Sequence, residues 1–582
     1  GRTSGYGGRT HTPIIDQDRL ILAMINTSWG DMGGPPSMRY WAFDKRTGEV
    51  LFAAKPSPRT KDANTQSTPV VAVIEGERLL IGASSDGWVY AVKARTGEKV
   101  WGFHVSQVSL NAGIAVSDGR VFASHSEENL DSGTMGRMVA IDATGSGDDL
   151  TATHELWRIP DLKAGFGTPL VYEGNSANLH AIEAATGESI WVQNIGTVGK
   201  SAPVWADGKI YVTEVNGKFH ILKDAGDHAE VLDTDEILMP DGVRPAEIYA
   251  SPAVAYGRIY FATENGFFCL GDKSKPFVAK DRPPVELEED PVASDAVPTV
   301  IQVVPAEVVT TTDATTSFRV LTFDDKGHFL GEEPASSWAL EGLEGTVSTG
   351  GEVRLNDVKG LQEGYVVAKF GELEAKARVR AAGSLPWSED FESLPPGPFP
   401  KGGFPAGWLG RGKKAHVEEF EGGKILVQPD PESFAPRAVM YIGPSLMSGY
   451  TIQADVYATA EGRRKPELGL INSGYTFLMA GIQQRLEIRS WGAELRMMQR
   501  QPFSWDSDTW YTMKMRVDYE KNAEGKQQAV VRGKAWKRSE SEPSEWTFTV
   551  EDPLPIKHGA PGLYAFTPVD GYFDNVLVTE SD

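Results

Sequence analysis

A phrase of about a dozen residues recurs through the first half of this 582-residue chain. It reads Tyr40-Trp-Ala-Phe-Asp-Lys-Arg-Thr-Gly-Glu-Val-Leu-Phe52, then Val89-Tyr-Ala-Val-Lys-Ala-Arg-Thr-Gly-Glu-Lys-Val-Trp101, then Leu179-His-Ala-Ile-Glu-Ala-Ala-Thr-Gly-Glu-Ser-Ile-Trp191. Units repeating at a period of about 40 residues cannot each bury an apolar face alone, so they stack, and that decides the architecture before any other feature.

Each copy reads as β-structure. Apolar residues alternate on either side of Thr-Gly-Glu, whose glycine (Gly48, Gly97, Gly187) supplies the positive φ of a tight turn. A second hairpin precedes the phrase. In the second unit Ser67-Thr-Pro-Val-Val71 and Arg78-Leu-Leu-Ile-Gly82 are strands, and Asp86-Gly87 turns into the strand at Val89. Asn216-Gly217 and Asn265-Gly266 hold the same place after Gly208-Lys-Ile-Tyr-Val212 and Gly257-Arg-Ile-Tyr-Phe261. Four short antiparallel strands per unit make a propeller blade.

Six such units begin near Thr12, Thr68, Ala112, Thr168, Ala202 and Pro252. In the third, the stretch Asp142-Ala-Thr-Gly-Ser-Gly-Asp-Asp149 delays the closing strand to Glu155-Leu-Trp157. The fourth has almost no room for its second strand between Tyr172 and Asn175, and the sixth stops at Phe268-Cys-Leu-Gly271 without an outer strand. The expectation is an all-β chain opening with a propeller over residues 1–278, incomplete at its N-terminal side and seven- or eight-bladed when complete.

These residues resemble the pyrroloquinoline-quinone-repeat family of β-propellers, whose blades carry Val-Tyr-Ala-Leu-Asp-Ala-x-Thr-Gly-Glu-x-x-Trp. The resemblance covers about residues 1–275. It implies the fold, and it leaves two kinds of function open, because the family holds quinoprotein dehydrogenases as well as BamB-like envelope proteins without a cofactor. The dehydrogenase branch implies adjacent cysteines beneath the quinone, a Ca²⁺ site of acidic and Asn ligands, and an Asp base. This chain has one cysteine, Cys269, so no vicinal disulfide forms and quinone with Ca²⁺ is disfavoured. Between Phe268 and Leu270, Cys269 reads as a small buried hydrophobe. Asp86, Glu214 and Glu264 recur at comparable positions beside turns and read as polar flanks of solvent-exposed hairpins. The ten histidines are scattered, and no cluster has metal-ligand spacing.

A net charge of −23 argues against nucleic acid, whose binding relies on Lys and Arg neutralising phosphates. No apolar run is long enough to span a bilayer. The texture changes after the propeller. Pro283-Pro284 and Glu286-Leu-Glu-Glu-Asp-Pro291 read as a solvated linker over 279–298. Alternation with regular turns over 299–383, including Thr316-Ser-Phe-Arg-Val-Leu-Thr-Phe323, reads as a small β-sandwich similar to bacterial immunoglobulin-like domains. Residues 384–582 alternate again, as in Tyr450-Thr-Ile-Gln-Ala-Asp-Val456 and Trp510-Tyr-Thr-Met-Lys-Met-Arg-Val517. This stretch resembles a concanavalin-like or laminin-G-like jelly roll, which implies sugar binding, protein interaction or, in some relatives, glycoside cleavage. Retaining cleavage on this fold needs carboxylates on one strand face about 5 Å apart. Glu389 and Asp390 are adjacent and point to opposite faces, so no catalytic pair is assigned.

Among seven tryptophans beyond residue 384, Trp491 (between Ser490 and Gly492) and Trp505 (between Ser504 and Asp506) are the ones expected to reach solvent and serve a polysaccharide. The propeller's candidate surfaces are two inserted loops at the same strand junction, Asn26 to Arg39 and His125 to Gly136. They offer Trp29, Asp31 and Met32 beside Glu127, Glu128 and Asp131 as a partner-binding tip. The resulting expectation is a non-catalytic binding or scaffold protein of the bacterial envelope, periplasmic, cell-surface or secreted, with other envelope or secreted proteins as partners and an envelope-assembly subunit as one form of that role. A quinoprotein-like oxidoreductase and a glycan-binding or glycan-active protein remain the alternatives.

Overall fold

The computed structural model describes residues 12–26, 37–57, 65, 67–163, 168, 172–173, 177–275, 277, 287–398, 401–410, 415–429, 437–490 and 497–581. Every regular element among them is a β-strand. The chain forms two compact units: one comprises Gly1–Asn26, Pro36–Gln302 and Leu321–Gly331, the other Val303–Val320 and Glu332–Asp582.

Among the described residues, six antiparallel sheets follow one another in the first unit, each with its strands in sequence order. The first holds Ile14–Asp16, Arg19–Asn26, Ser37–Asp44 and Val50–Ala54. The second holds Val70–Ile74, Glu77–Ala83, Trp88–Lys93 and Lys99–His104. The third holds Ala115–Ser117, Arg120–Glu128, Met135–Asp142 and the delayed Glu155–Pro160. Three strands make the fourth (Tyr172–Glu173, Asn178–Ile182, Ser189–Asn194), four the fifth (Val204–Ala206, Lys209–Thr213, Lys218–Asp224, Ala229–Glu236) and three the sixth (Ala253–Ala255, Arg258–Thr263, Gly266–Leu270).

The recurring phrase has a physical cause. In the Thr-Gly-Glu turns the glycines sit at φ 77°, 75° and 78° (Gly48, Gly97, Gly187), where a side chain is strained. The threonine hydroxyl accepts the N–H of the following glutamate at 3.2 Å in the first turn and 3.2 Å in the fourth. A one-residue shift in register just before each turn, as between Ala42 and Phe43 or Ala91 and Val92, twists the outer strand. The turn is then pressed against the sheet before it: a Cβ on Gly97 would lie 2.7 Å from Phe52, and one on Gly187 2.8 Å from Trp157. The aromatic that closes the phrase therefore holds the next turn in place, and Trp157 also donates its indole N–H to Ala184 O at 3.0 Å.

Apolar residues fill the space between successive sheets. Phe103, Val121 and Ile141 join the second and third, Phe122, Met138 and Ile182 the third and fourth, Leu179, Val212 and Leu222 the fourth and fifth, and Tyr211, Phe219 and Phe261 the fifth and sixth. The long turn of the third sheet has its own role, since Gly147 and Leu150 donate to Val100 and Gly102 in the outer strand of the second at 2.9 and 2.8 Å.

The acidic run expected as a solvated linker is only partly solvated. Glu289 bridges two buried guanidiniums of the second sheet, Arg78 and Arg95, at 2.7 Å each. Burial opposes its charge, but the hydrogen bonds from Arg95 and Arg78 outweigh that and hold its carboxyl down at about 2. Asp290 pairs with Lys326, and Gln302 donates to the carbonyls of Arg95 and Thr96. These contacts explain why Leu321–Gly331 groups with the first unit, although the sequence places it inside a separate 299–383 segment.

Two further sheet systems build the second unit. In the first, Glu307–Thr311, Leu373–Ala382, Leu361–Phe370 and Ser337–Glu341 pair in that order, beside the smaller sheet of Thr315–Ser317, Glu352–Leu355 and Gly345–Val347. The other has an eight-stranded sheet, with Gly571–Glu580, Tyr450–Ala458, Trp510–Lys521 and Gln527–Lys537 at its centre, and a six-stranded sheet running from Arg437–Tyr441 to Met498–Pro502. Ile452, Val456, Met513, Val531 and Phe573 from the large sheet and Leu468, Leu470, Phe477 and Leu563 from the small one share a single core.

Candidate functional site

In the third sheet, Arg120–Glu128 and Met135–Asp142 pair regularly as far as His125 and Arg137, after which the register slips and the hairpin end leaves the sheet. Asn129 organises that end. Its side-chain amide donates to Thr134 O at 3.1 Å, Thr134 Oγ1 at 3.0 Å and Gly136 O at 2.6 Å. Its carbonyl accepts Gly133 N–H at 2.7 Å, and its own N–H donates to Thr134 O at 2.7 Å. An asparagine closing a loop on its own backbone is a familiar turn device, and here it is buried while its neighbours are not.

Arg137 anchors the loop from below. It donates to Val105 O at 2.8 Å and to Asp131 at 2.7 Å, and this hydrogen bond holds the Asp131 carboxyl below its ordinary range. Gly136, at φ 80°, lets the chain pass Leu162, whose carbonyl oxygen would lie 2.3 Å from a Cβ. The pinned loop presents Glu127, Glu128 and Asp131 to solvent together with Leu130 at 64% exposure and Met135 at 42%. Sequence reasoning named the three carboxylates and missed the two apolar side chains. Their signal was present, because an apolar residue between Asn129 and Asp131 has no alternating pattern to place it in a core. Trp29, Asp31 and Met32 lie outside the described residues.

Two other expectations need correction. Asp86 and Glu214 do not flank exposed hairpins; both are buried, at 8% and 0% exposure. Asp86 accepts hydrogen bonds from Ser57 Oγ and Tyr90 Oη, and Glu214 accepts the N–H of Thr197 at 3.2 Å. Glu264 alone is exposed, paired with Arg244 at 2.6 Å. Cys269 is exposed rather than buried, because its side of the sixth sheet faces away from the fifth.

In the second unit Trp491 lies outside the described residues. Trp505, expected at the surface, is buried: its ring meets Tyr511 edge-on at 6.2 Å and Lys465 stands 5.1 Å over it. Trp546, which sequence reasoning did not single out, lies beside an opening. It borders a depression of about 380 Å³ lined by Arg516, Asp518, Glu520 and Arg532. Arg516 donates to Asp518 at 2.7 Å and Arg532 to Glu520 at 3.0 Å, and Lys534 lies 4.9 Å over the Trp546 ring. The alternation Arg516-x-Asp518-x-Glu520 put these charges on one strand face and was legible. A second depression of about 350 Å³ is bordered by Glu363, Trp387, Glu389 and Trp408, where burial raises the Glu389 carboxyl above its ordinary range. Among the described residues no group of His, Cys, Asp or Glu is arranged to hold a metal ion.

Residues 5–157 match the family model of the outer membrane protein assembly factor BamB. The matched stretch runs from the first sheet into the closing strand of the third and is similar there to a BamB-like quinone-repeat β-propeller. No curated protein matches the chain. Solved structures that resemble it include BamB from Moraxella catarrhalis, at 13% identity and a TM-score of 0.26, covering 45% of this chain and 96% of that one. The computationally designed Ika8 protein has 12% identity and a TM-score of 0.30 over 62% of this chain and 92% of its own. Carbohydrate binding module CBM66 from Bacillus subtilis has 13% identity and a TM-score of 0.22 over 30% and 96%. At such scores the likenesses transfer neither fold nor function. No helix among the described residues is long and apolar enough to cross a membrane.

Proposed function

We propose that this protein is a non-catalytic, extracytoplasmic binding and scaffold protein of the bacterial envelope, needing no cofactor and recognising other envelope or secreted proteins. In this reading the propeller carries the recognition surface, an immunoglobulin-like sandwich follows it, and a concanavalin- or laminin-G-like jelly roll ends the chain. One observation carries it: Leu130 and Met135 are held in water, among three carboxylates, by a loop pinned through Asn129 and Arg137. A loop ordered in advance loses little conformational freedom when it docks, so its apolar side chains are free to contribute affinity. The matching partner surface is an apolar socket rimmed by Lys or Arg. The family match over residues 5–157 supports the envelope setting.

Replacing Leu130 and Met135 together by alanine is expected to weaken retention of the native partner at least tenfold, an interfacial anchor loss of about 1.4 kcal/mol or more, with the melting temperature unchanged. Quantitative capture from envelope extract and a thermal melt check both halves. Undiminished capture by the double variant would sink the proposal.

The Trp546 depression favours a second reading, a glycan-binding surface on the jelly roll. An indole edge beside alternating guanidinium and carboxylate groups suits a pyranose ring, whose C–H face stacks while its hydroxyls take both donors and acceptors. Trp546→Ala is then expected to abolish retardation in affinity gels cast with the cognate polysaccharide, while Leu130→Ala leaves it intact.

A further inference from the structure

In the second unit, the depression bordered by Trp387 and Glu389 has a floor and a rim of different chemistry. The strand Trp387–Glu389 pairs antiparallel with Gly571–Glu580, Trp387 opposite Val578 and Glu389 opposite Val576, so these four side chains share one face. Trp387, Val576 and Val578, together with Trp408 and Ile442, are at most 5% exposed and make an apolar floor. The Trp387 indole N–H donates to Gly383 O at 3.0 Å, and Phe391 and Phe404 meet the Trp408 ring edge-on at 5.9 and 6.4 Å, so the floor is fixed before anything binds. Glu344, Glu363 and Glu389 stand around it. Against these three acids the described lining residues include one base, Lys359.

Glu389 has an oxygen to spare. Its Oε1 accepts the N–H of Phe391 at 2.8 Å, and among the described residues no donor meets its Oε2. Glu363 is committed to the wall, where its Oε2 accepts the N–H of Gly407 at 2.9 Å. Burial raises the Glu389 carboxyl above its ordinary range, so its charge is costly where it stands and a cation placed against it relieves that cost. We propose that this cavity binds a primary ammonium on a short apolar stem, the head against Glu389 and the stem on the tryptophan floor. A guanidinium fork needs both oxygens of a carboxylate, and Phe391 holds one of them, whereas an ammonium is a point charge that one oxygen serves. A volume of about 350 Å³ lies at the low end for small-ligand cavities, which limits the stem to a few carbons. A metal ion is the poorer occupant, since no group of His, Cys, Asp or Glu among the described residues is arranged to hold one. The ammonium belongs either to a free alkylamine or to the lysine side chain of a docking segment. This cavity shares no residue with the Leu130 loop or the Trp546 depression, so each proposal can fail while the others stand.

Isothermal titration of the 582-residue chain with n-butylamine, with lysine blocked as its N-acetyl amide, and with butan-1-ol as the neutral match tests this. The expected result is a single site that takes an ammonium compound about tenfold or more tighter than butan-1-ol. Glu389→Gln keeps the side-chain volume and the oxygen facing Phe391, so it should weaken ammonium binding about tenfold with the melting temperature unchanged. Lys359→Ala removes a like charge from the exposed rim and should strengthen binding about twofold. Binding of the blocked lysine, with or without butylamine, assigns the cavity to the side chain of a docking segment; binding of butylamine alone assigns it to a free amine. Equal affinities for butylamine and butan-1-ol would overturn the proposal, as would the absence of binding by either ammonium compound. So would ammonium binding that Glu389→Gln leaves unchanged. If that variant melts early, unchanged affinity in Lys359→Ala overturns the proposal instead.

Discussion

Arg380→Ala is expected to destabilise the second unit by about 4 kcal/mol, the cost of breaking a buried charged network by removing one side of it. Arg380 is 2% exposed, and burial pulls its guanidinium down to about 10. It donates to the carbonyls of Gly407, Ile442 and Gly443. Glu363 completes the arrangement by accepting the N–H of Gly407 at 2.9 Å. The side chain thus ties the strand Leu373–Ala382 to two loops of the larger sheet system, and truncation leaves buried carbonyls without a donor. Arg380→Lys should recover only about half of the loss, since an ammonium cannot serve three carbonyls spread around a planar fork. Urea unfolding of the three proteins checks this. A loss below about 1 kcal/mol for the alanine variant would show that water replaces the guanidinium and that the tie carries little.

The second large effect is a loss of stability in the first unit as pH falls from about 6.5 towards 4. His125 and His220 are buried, at 1% and 4% exposure. Burial pushes both imidazoles down to about 4, reinforced by the charge of Arg137 at His125 and of Lys218 at His220. Their folded values lie below the unfolded one, so the folded state holds them neutral. Stability is complete above the unfolded value and is lost as pH drops through the window between the two. At 1.36 kcal/mol per pH unit, each histidine accounts for about 3 kcal/mol over that interval. Glu289 acts in a different window, because its carboxyl is held at about 2 and keeps its charge until well below pH 4. Melting temperatures measured from pH 7.5 to 4.5 should fall steeply for the native chain and gently for the His125→Gln, His220→Gln double variant. Parallel curves would rule out these two groups as the cause.

How much of this was legible in the sequence depended on whether a neighbour decides the matter. Three of the six sheets were readable because Thr-Gly-Glu is a local device: a glycine that must adopt positive φ and a hydroxyl that caps the turn act within one hairpin. The Asn129 loop was half readable, since its polar residues advertise a turn but only the register slip after His125 shows which side chains leave the sheet. Residues whose surroundings come from another sheet were misjudged. Cys269 has the alternation of a core residue, yet its exposure depends on what lies in front of the sixth sheet. Trp505 sits between Ser504 and Asp506, which signal a surface, and is covered by Tyr511 and Lys465. Glu289 lies in a run that composition alone assigns to solvent, and two arginines near the other end of the propeller claim it.

That last contact sets a timetable for synthesis. Arg95 and Glu289 are separated by 194 residues, and Arg78 and Glu289 by 211. At a translation rate of about 5–20 residues per second, the second sheet emerges roughly 10–40 seconds before its acid does. Asp16 and Gln17, made earlier, already hold one contact each to Arg78 and Arg95, so the early sheet is partly satisfied while it waits. A nascent chain halted after the sixth sheet would leave the latch on the second sheet unfastened, with two guanidiniums available to any passing anion or chaperone.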